Sequence, residues 1–391
     1  MKSILEDAAW AGIELESAEL SRYARHITIP DVGLDGQKKL KAASVLCIGA
    51  GGLGSPIGLY LAAAGVGNIG IIDDDVVEFS NLQRQIIHGV SVLGKSKVSS
   101  AAEALKEINP TVNVETYETR FISENAEKIA APYDLIIDGT DNFPTRYLSN
   151  DLAVLTGKPN IYGSIYRFEG QVSVFAPHLG GPCYRCLFPT PPEPGQVPSC
   201  AEGGVLGILP GIVGCLQANE AVKMILGIGD PLIGRLVHFD ALKFRFREIK
   251  LRKDPHCAIC GENPTITELE EIDFACEVPD NPAGGELREI DVHSLHSRMK
   301  DERPFVLLDV REPVEAQICK IPGSELIPLG ELKASLGKLD PDTEIIIHCK
   351  SGGRSYEALK MLVDAGFSDV CHVAGGINAW SLEIDSEVAF Y

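Results

Sequence analysis

The chain has 391 residues, with 55 Asp and Glu against 35 Lys and Arg and a formal net charge of −20. This acidic balance excludes a general nucleic-acid-binding protein, which needs clustered basic residues. The length predicts two domains, the 45% hydrophobic content suffices for packed cores, and no apolar run resembles a membrane span. Because residues 1–19 also lack the basic and apolar regions of a secretory signal, we expect a cytoplasmic protein that contacts no membrane.

The first 43 residues predict helices. Leu20, Tyr23 and Ile27 recur at the spacing of one apolar helix face. Arg25 lies in the same stretch, and its residue type alone indicates a charge on a solvated helix surface.

A nucleotide site is predicted where the first two strands end. Val45 to Ile48 is an apolar run of strand length, and the segment G-A-G-G-L-G after it has G-x-G-x-x-G spacing. This spacing lets backbone N–H groups approach a phosphate at a helix N-terminus. A second strand, Ile69 to Ile72, ends at Asp73, an acid placed to meet a ribose hydroxyl. These features alone fit an NAD-dependent dehydrogenase equally well.

Charged residues beyond Asp73 distinguish a site for a nucleoside triphosphate from a site for NAD. Arg84, within N-L-Q-R-Q, and Lys97 would set two cations near the phosphates. That charge suits cleavage of a triphosphate better than a dinucleotide that lends a hydride. The run over residues 133–142 predicts a buried strand with a polar exit, and this exit contains Asp141, whose carboxylate is placed to hold Mg²⁺ on the phosphates. Capping the next helix is the alternative role of Asp141. We therefore expect ATP and Mg²⁺, and exclude an NAD enzyme.

The segments G-A-G-G-L-G-S and S-N-L-Q-R-Q resemble those of the MoeB/ThiF family, relatives of the ubiquitin-activating enzymes that adenylate the C-terminal glycine of a small protein. The resemblance extends to R-Y-A-R-H, although His26 stands where the family has glutamine. It implies a homodimer in which Arg25 reaches the ATP site of the partner subunit. The nucleotide-binding residues it implies are Gly49, Gly51, Gly52, Gly54, Asp73, Asn81, Arg84, Lys97 and Asp141.

Two C-x-x-C pairs follow a stretch, residues 160–175, that alternates like strands with turns at Gly163 and Gly170. Each pair presents two thiolates from one tight turn, and two such pairs suit tetrahedral Zn²⁺. Four thiolates leave no position for water, so we expect a structural zinc site. Its ligands are Cys183, Cys186, Cys257 and Cys260.

A proline-rich loop from Phe188 to Cys200 separates the two pairs. Its composition predicts an extended segment with an exposed thiol at Cys200. In relatives, the cysteine at this place forms a thioester or a disulfide. Cys47, within a strand, and Cys215, within an apolar helix, are interpreted as core residues.

An acidic segment with three prolines and no Lys or Arg divides the chain. We predict an adenylation domain over residues 1–262, a linker over 263–286, with a short ordered piece at residues 266–274, and a second, smaller α/β domain over 287–391. The fold class is thus a doubly wound, Rossmann-like sheet with a zinc knuckle pair, followed by a second α/β domain.

The second domain has its own candidate nucleophile, Cys349. This cysteine leaves a predicted strand, residues 344–348, and enters C-K-S-G-G-R before a helix. Backbone N–H groups, the helix dipole and Arg354 would all stabilise its thiolate. The loop resembles that of rhodanese domains, as do D-V-R-E, I-P-G-S and G-G-I-N-A-W. Related phosphatases space the cysteine and arginine one residue further apart, so the shorter loop favours sulfur over phosphate. Lys320 replaces the usual histidine before I-P-G.

Together the two resemblances imply an adenylyltransferase and sulfurtransferase that acts on a ubiquitin-like sulfur carrier ending in Gly-Gly. Cys349, charged by a cysteine desulfurase or thiosulfate, would supply sulfur, and Cys200 would act as the second thiol. The product would be a carrier thiocarboxylate for molybdenum cofactor or related sulfur-containing biosynthesis. Two alternatives stay open: a ubiquitin-type conjugation enzyme with a thioester at Cys200, and a non-enzymatic scaffold.

Overall fold

The computed structural model describes residues 2–192, 203–271, 288–301 and 303–391. The chain divides into two compact units, Met1–Cys276 and Glu277–Tyr391. No helix within the described ranges combines the length and hydrophobicity needed to cross a lipid bilayer.

The first unit is built on an eight-stranded sheet in the order β3-β2-β1-β4-β5-β6-β7-β8. The first five strands are parallel, and the last three join by antiparallel pairing. The strands are β1 Ser44–Ile48, β2 Asn68–Ile72, β3 Asn113–Tyr117, β4 Leu135–Asp138, β5 Asn160–Tyr166, β6 Glu169–Phe175, β7 Arg235–Asp240 and β8 Arg245–Lys250.

Both faces of the parallel part are covered. Alternate residues of β1 point to opposite faces, so Val45 and Cys47 join one apolar cluster while Leu46 and Ile48 join another. This confirms the doubly wound fold. The α-helices of the described part are Asp7–Trp10, Ser17–Arg22, Ala24–Ile27, Gly33–Ala42, Gly54–Ala64, Lys97–Ile108, Ser123–Ala130, Phe143–Thr156, Tyr184–Leu187 and Leu209–Leu226.

Two local predictions were wrong. Gly163 and Gly170 lie inside β5 and β6, and the chain turns between these strands instead. Both glycines make room for the helix Leu209–Leu226: a Cβ would lie 2.3 Å from the side chain of Gln217 at Gly163, and 2.4 Å from that of Val213 at Gly170. Leu20 is 40% exposed rather than part of a buried face, because the helix Ser17–Arg22 ends before Tyr23, which is buried.

The second unit has a five-stranded parallel sheet in the order β11-β10-β12-β13-β9. The strands are β9 Arg288–Ile290, β10 Val306–Asp309, β11 Glu325–Leu326, β12 Ile345–His348 and β13 Val370–Val373, and the α-helices are Val292–Arg298, Pro313–Ile318, Leu329–Ser335, Gly353–Asp364 and Gly376–Glu383. Two apolar clusters cover its faces, so this sheet is also buried on both sides.

The described start of the predicted linker packs on the first unit. The N–H groups of Thr265 and Ile266 donate to the carbonyl of Ala258 at 2.7 and 2.9 Å. Ile266 contacts the cysteine cluster, and Leu269 contacts an apolar cluster beside the sheet. The remainder of that segment, residues 272–286, lies outside the described ranges.

Candidate functional site

The glycine-rich turn joins β1 to the helix Gly54–Ala64. Gly49 takes a φ of +96°, a region that favours glycine, and its N–H donates to the carbonyl of Ile72 at 2.8 Å. Asp73, directly after β2, accepts from the N–H of Ala50 at 2.8 Å and from that of Asp75 at 2.9 Å. Burial raises the pKa of Asp73, while the charge of Lys97 and these N–H donors oppose the rise. The acid is thereby fixed against the turn.

A cavity of about 470 Å³ opens at the carboxyl ends of the parallel strands, where ligands bind in such sheets. It brings together residues that are far apart in sequence. Of the predicted nucleotide-binding residues, its lining includes Gly49, Gly51, Gly52, Asp73, Arg84, Lys97 and Asp141.

Two cations lie at this cavity. Lys97 is only 6% exposed, and its Nζ lies 2.7 Å from a carboxylate oxygen of the exposed Asp75. Arg84 donates from Nη1 to the carbonyl of Ser80 at 3.2 Å. The two side chains place positive charge at the cavity, and the carboxylate of Asp75 offsets part of the charge of Lys97.

Asp141 lies in the exposed turn between β4 and the helix Phe143–Thr156. The cap of that helix is Asn142, whose side-chain oxygen accepts from the N–H of Thr145 at 2.9 Å. The alternative role of Asp141 as the helix cap is therefore wrong. Its carboxylate lines the cavity and is available to a ligand.

Other residues of the cavity were missed by the sequence reasoning. Arg146 is 7% exposed, donates to the carbonyl of Thr140 at 3.1 Å and has its guanidinium 5.3 Å from the ring centre of Tyr162. Asp138, the last residue of β4, is not part of the cavity lining: it is fully buried and accepts from the hydroxyls of Thr140, which does line the cavity, and Ser149 at 2.6 and 3.1 Å. Arg146 lies one turn into the helix after Asp141, and no local pattern in the sequence indicated that it would line the cavity.

Three predicted residues do not appear in the described lining of the cavity: Gly54, Asn81 and Arg25. Gly54 begins its helix so close to Gly49 that a Cβ would lie 2.0 Å from the carbonyl oxygen of Gly49. Asn81 is buried, and its side-chain oxygen accepts from the N–H of Glu78 at 3.1 Å. Arg25 is exposed on the helix Ala24–Ile27.

The four predicted metal-binding cysteines form one cluster, with all four sulfurs within 4.8 Å of one another. Cys183 lies 3.9 Å from Cys186 and 3.5 Å from Cys257, and Cys186 lies 3.4 Å from Cys260, measured between sulfurs. Tetrahedral Zn²⁺ with Zn–S bonds of about 2.3 Å separates its sulfurs by about 3.8 Å. The cluster therefore fits Zn²⁺.

In the second unit, Cys349 follows the last residue of β12, and its sulfur is almost fully buried. The N–H of Gly352 donates to Sγ with an N···S distance of 3.1 Å. Gly352 takes a φ of +111°, which a residue with a side chain rarely adopts. The helix Gly353–Asp364 starts next, so its N-terminus also faces this turn.

Arg354 is paired with Glu315. Its Nη1 and Nη2 lie 2.6 and 2.8 Å from the two carboxylate oxygens, in a bidentate pair that is mostly buried. Burial alone would raise the pKa of Glu315, but Arg354, the N–H of Glu312 and the hydroxyl of Tyr391 lower it to about 2. Glu315 was not among the predicted site residues. Cys200 lies outside the described residues.

Family models match both units. The ThiF family model matches residues 23–259, and the rhodanese-like domain model matches residues 291–383. The chain belongs to the ThiF family. It carries a rhodanese-like domain after the ThiF unit, which confirms both resemblances drawn from the sequence.

Relatives of this ThiF-family chain match either nearly the whole chain or a length close to that of the ThiF unit. The probable adenylyltransferase/sulfurtransferase MoeZ of Mycobacterium tuberculosis is 50% identical over 384 residues, covering 96% of each chain. The sulfur carrier protein adenylyltransferase of Thermus thermophilus is 53% identical over 262 residues, which are 66% of this chain and 97% of the relative. The match to that relative therefore spans about the length of the ThiF unit alone.

A solved structure also resembles this family member. The crystal structure of Escherichia coli MccB with MccA-N7isoASN has a TM-score of 0.54 and 21% identity, covering 61% of this chain and 74% of MccB. At that identity the likeness supports the fold of the ThiF unit.

Proposed function

We propose that this chain adenylates the C-terminal glycine of a ubiquitin-like sulfur carrier ending in Gly-Gly and then converts it to a thiocarboxylate. The observation that carries the proposal is the ThiF-unit cavity, where the glycine turn, Asp73, two cations and Asp141 meet at one sheet edge. The names of the relatives, adenylyltransferase/sulfurtransferase and sulfur carrier protein adenylyltransferase, agree with it.

In the first reaction, ATP occupies this cavity with its ribose at Asp73 and its phosphates at the glycine turn. Asp141 would hold Mg²⁺, which supplies charge neutralisation on the phosphates. Lys97, Arg84 and Arg25 of the partner subunit offset the remaining negative charge. A glycine carboxylate oxygen attacks the α-phosphorus, the bond to the bridging oxygen breaks, and pyrophosphate leaves. The acyl-adenylate makes the carboxyl carbon electrophilic.

The second reaction uses Cys349. Its thiolate is stabilised by the N–H of Gly352 at 3.1 Å. It first takes the outer sulfur of thiosulfate and releases sulfite, or takes the outer sulfur of a cysteine desulfurase persulfide and releases the desulfurase thiolate. The persulfide then attacks the carboxyl carbon of the acyl-adenylate and AMP leaves, which gives an acyl disulfide. We propose that Cys200 attacks Sγ of Cys349, so that the thiocarboxylate leaves and a disulfide forms between the two cysteines. A dithiol reductant restores both thiols.

The zinc cluster serves structure in this scheme. With four cysteine ligands the ion has no open coordination position, so it supplies no chemistry to either reaction. It would tie the loop of Cys257 and Cys260 to the helix Tyr184–Leu187, which follows Cys183.

The test is intact-mass spectrometry of a Gly-Gly-ended carrier incubated with the protein, Mg-ATP, thiosulfate and dithiothreitol. We expect the mass change of one sulfur-for-oxygen exchange, which Cys349→Ala abolishes while retaining ATP–pyrophosphate exchange. Asp141→Asn should lose both. A hydroxylamine-labile acyl-enzyme on Cys200, with no sulfur in the carrier, would replace this proposal with the conjugation reaction. Unchanged thiocarboxylate yield in Cys200→Ala without added reductant would remove Cys200 from the scheme.

A further inference from the structure

The aromatic side chain of Tyr391 lies beside the turn that carries Cys349. Its hydroxyl donates to Oε1 of Glu315 at 2.9 Å and accepts from Nη1 of Arg311 at 2.8 Å. The Nζ of Lys350 lies 4.7 Å from the centre of the Tyr391 ring, in a cation–π contact. Tyr391 lies outside the motifs that resemble rhodanese domains, so no local pattern predicts its position here.

Arg311 gives this hydroxyl a rigid support. The guanidinium is fully buried, pairs with Asp309 at 2.6 Å and donates to the carbonyl of Cys319 at 2.9 Å. The segment that carries Tyr391 is also held: the hydroxyl of Ser381 donates to the carbonyl of Val388 at 2.5 Å. Burial raises the pKa of Tyr391, so its hydroxyl remains a proton donor to Glu315.

These contacts reach both ends of the Cys349 turn. Lys350, directly after the cysteine, lies on the ring of Tyr391. Arg354, the second residue of the following helix, is held by Glu315, whose position Tyr391 fixes. Between the two ends lies Gly352, the N–H donor to the Cys349 sulfur.

We propose that Tyr391 is a positioning residue of the sulfurtransferase site, which clamps both ends of the Cys349 turn so that the Gly352 N–H stays aimed at the sulfur. The proposal rests on the role of Cys349 proposed above. Tyr391, which is far from this turn in sequence, would keep the Gly352 N–H in place. If the turn moved, the thiolate and the persulfide of Cys349 would lose this hydrogen bond.

Tyr391→Phe tests the hydroxyl, and Tyr391→Ala tests the ring as well. Thiosulfate:cyanide sulfur transfer by the full chain, followed as thiocyanate, reports the rate. For Tyr391→Phe we expect kcat/KM to fall about three- to tenfold, because a hydrogen bond to a charged group is lost. Tyr391→Ala should fall further, since the Lys350 contact is also removed. Tyr356→Phe is the matched control: within the described residues the Tyr356 hydroxyl has no hydrogen-bond partner.

A second readout separates positioning from general destabilisation. Iodoacetamide labelling against pH is measured by mass spectrometry of the tryptic peptide from Leu339 to Lys350, in which Cys349 is the single cysteine. We expect the labelling midpoint of Cys349 to rise by about 0.5–1 pH unit in Tyr391→Phe, because the thiolate loses part of its hydrogen bonding. The buried Cys371 of the same unit should label as slowly as in the wild type.

The proposal is overturned if Tyr391→Phe matches Tyr356→Phe in both rate and labelling midpoint. It is equally overturned if the labelling of Cys371 in Tyr391→Phe changes together with that of Cys349, because that result would mean that the variant destabilises the whole second unit. Labelling does not require sulfur transfer. If the wild type produced no thiocyanate above Cys349→Ala, the proposed function of Cys349 would be rejected, while the labelling midpoints would still decide the role of Tyr391.

Discussion

Replacing Glu315 by glutamine should destabilise the rhodanese unit by more than the loss of an exposed ion pair would. Glu315 is 7% exposed, and both its oxygens meet Arg354. Its pKa is lowered from 4.5 to about 2 on folding. At 1.36 kcal/mol per pKa unit, the charged carboxylate contributes about 3 kcal/mol at pH 7. Glu315→Gln removes this charge and leaves Arg354 facing a neutral amide.

The sign of the pH dependence follows from the lowered pKa. The contribution is complete above the ordinary value of 4.5 and is lost as the pH falls toward about 2. The stability difference between wild type and Glu315→Gln should therefore be the same at pH 7 and pH 5.5, and should shrink in more acidic solution.

The assay is urea unfolding followed by tryptophan fluorescence. The chain has two tryptophans, Trp10 in the first unit and the buried Trp380 in the second, so a Trp10→Phe background makes the signal specific to the rhodanese unit. We expect the Glu315→Gln midpoint to fall by about 1–2 M. The control is Asp369→Asn, which breaks an exposed pair with Arg288 at 2.7 Å and should cost under about 1 kcal/mol. Equal midpoints for the two variants would refute the reasoning.

Three further predictions concern the ThiF unit. Gly54→Ala should lower the unfolding free energy, measured without nucleotide, by about 1–3 kcal/mol. Gly51→Ala should leave the unfolding free energy unchanged, because its Cβ would lie 3.5 Å from a side-chain amide. Equal urea midpoints for the two variants would contradict this. Cys257→Ser should lose the zinc measured by atomic absorption and lower the melting temperature, and full zinc content would exclude the cluster as its site. Arg25→Ala and Lys97→Ala should each lose ATP–pyrophosphate exchange. If each site of a two-fold dimer takes Arg25 from the partner subunit, a co-refolded mixture of the two variants should recover about a quarter of the wild-type activity. No recovery would reject the shared site.

Much of the candidate nucleotide site was predictable because its signals are local. The glycine turn, Asp73 at the end of β2 and Asp141 after β4 each follow a short apolar run that forms a buried strand. In a parallel sheet the carboxyl ends of the strands meet at one edge, so strand order alone brings these residues to one cavity. The cysteine pairs were predictable for the same reason, since each pair is presented by one turn.

Packing between distant segments could not be predicted in this way. Gly163 looked like a turn residue, but it accommodates the side chain of Gln217, 54 positions later. Arg354 was predicted beside Cys349, but its ion-pair partner Glu315, which lies on another helix, was not. Residue type and local spacing do not reveal such neighbours, because the contact exists only after the sheet has formed.

The sequence by itself determined the two fold units, the nucleotide turn, the zinc-binding set and Cys349, because each depends on residues within one strand–turn–helix segment or on paired cysteines. Only the tertiary structure decided the surroundings that tune them. It placed Arg146 at the cavity and made Asn142 the cap that frees Asp141. It also brought the hydroxyl of Tyr391 between Arg311 and Glu315. Hydrogen bonds and charge pairs across elements depend on how helices and strands pack, which no local pattern specifies.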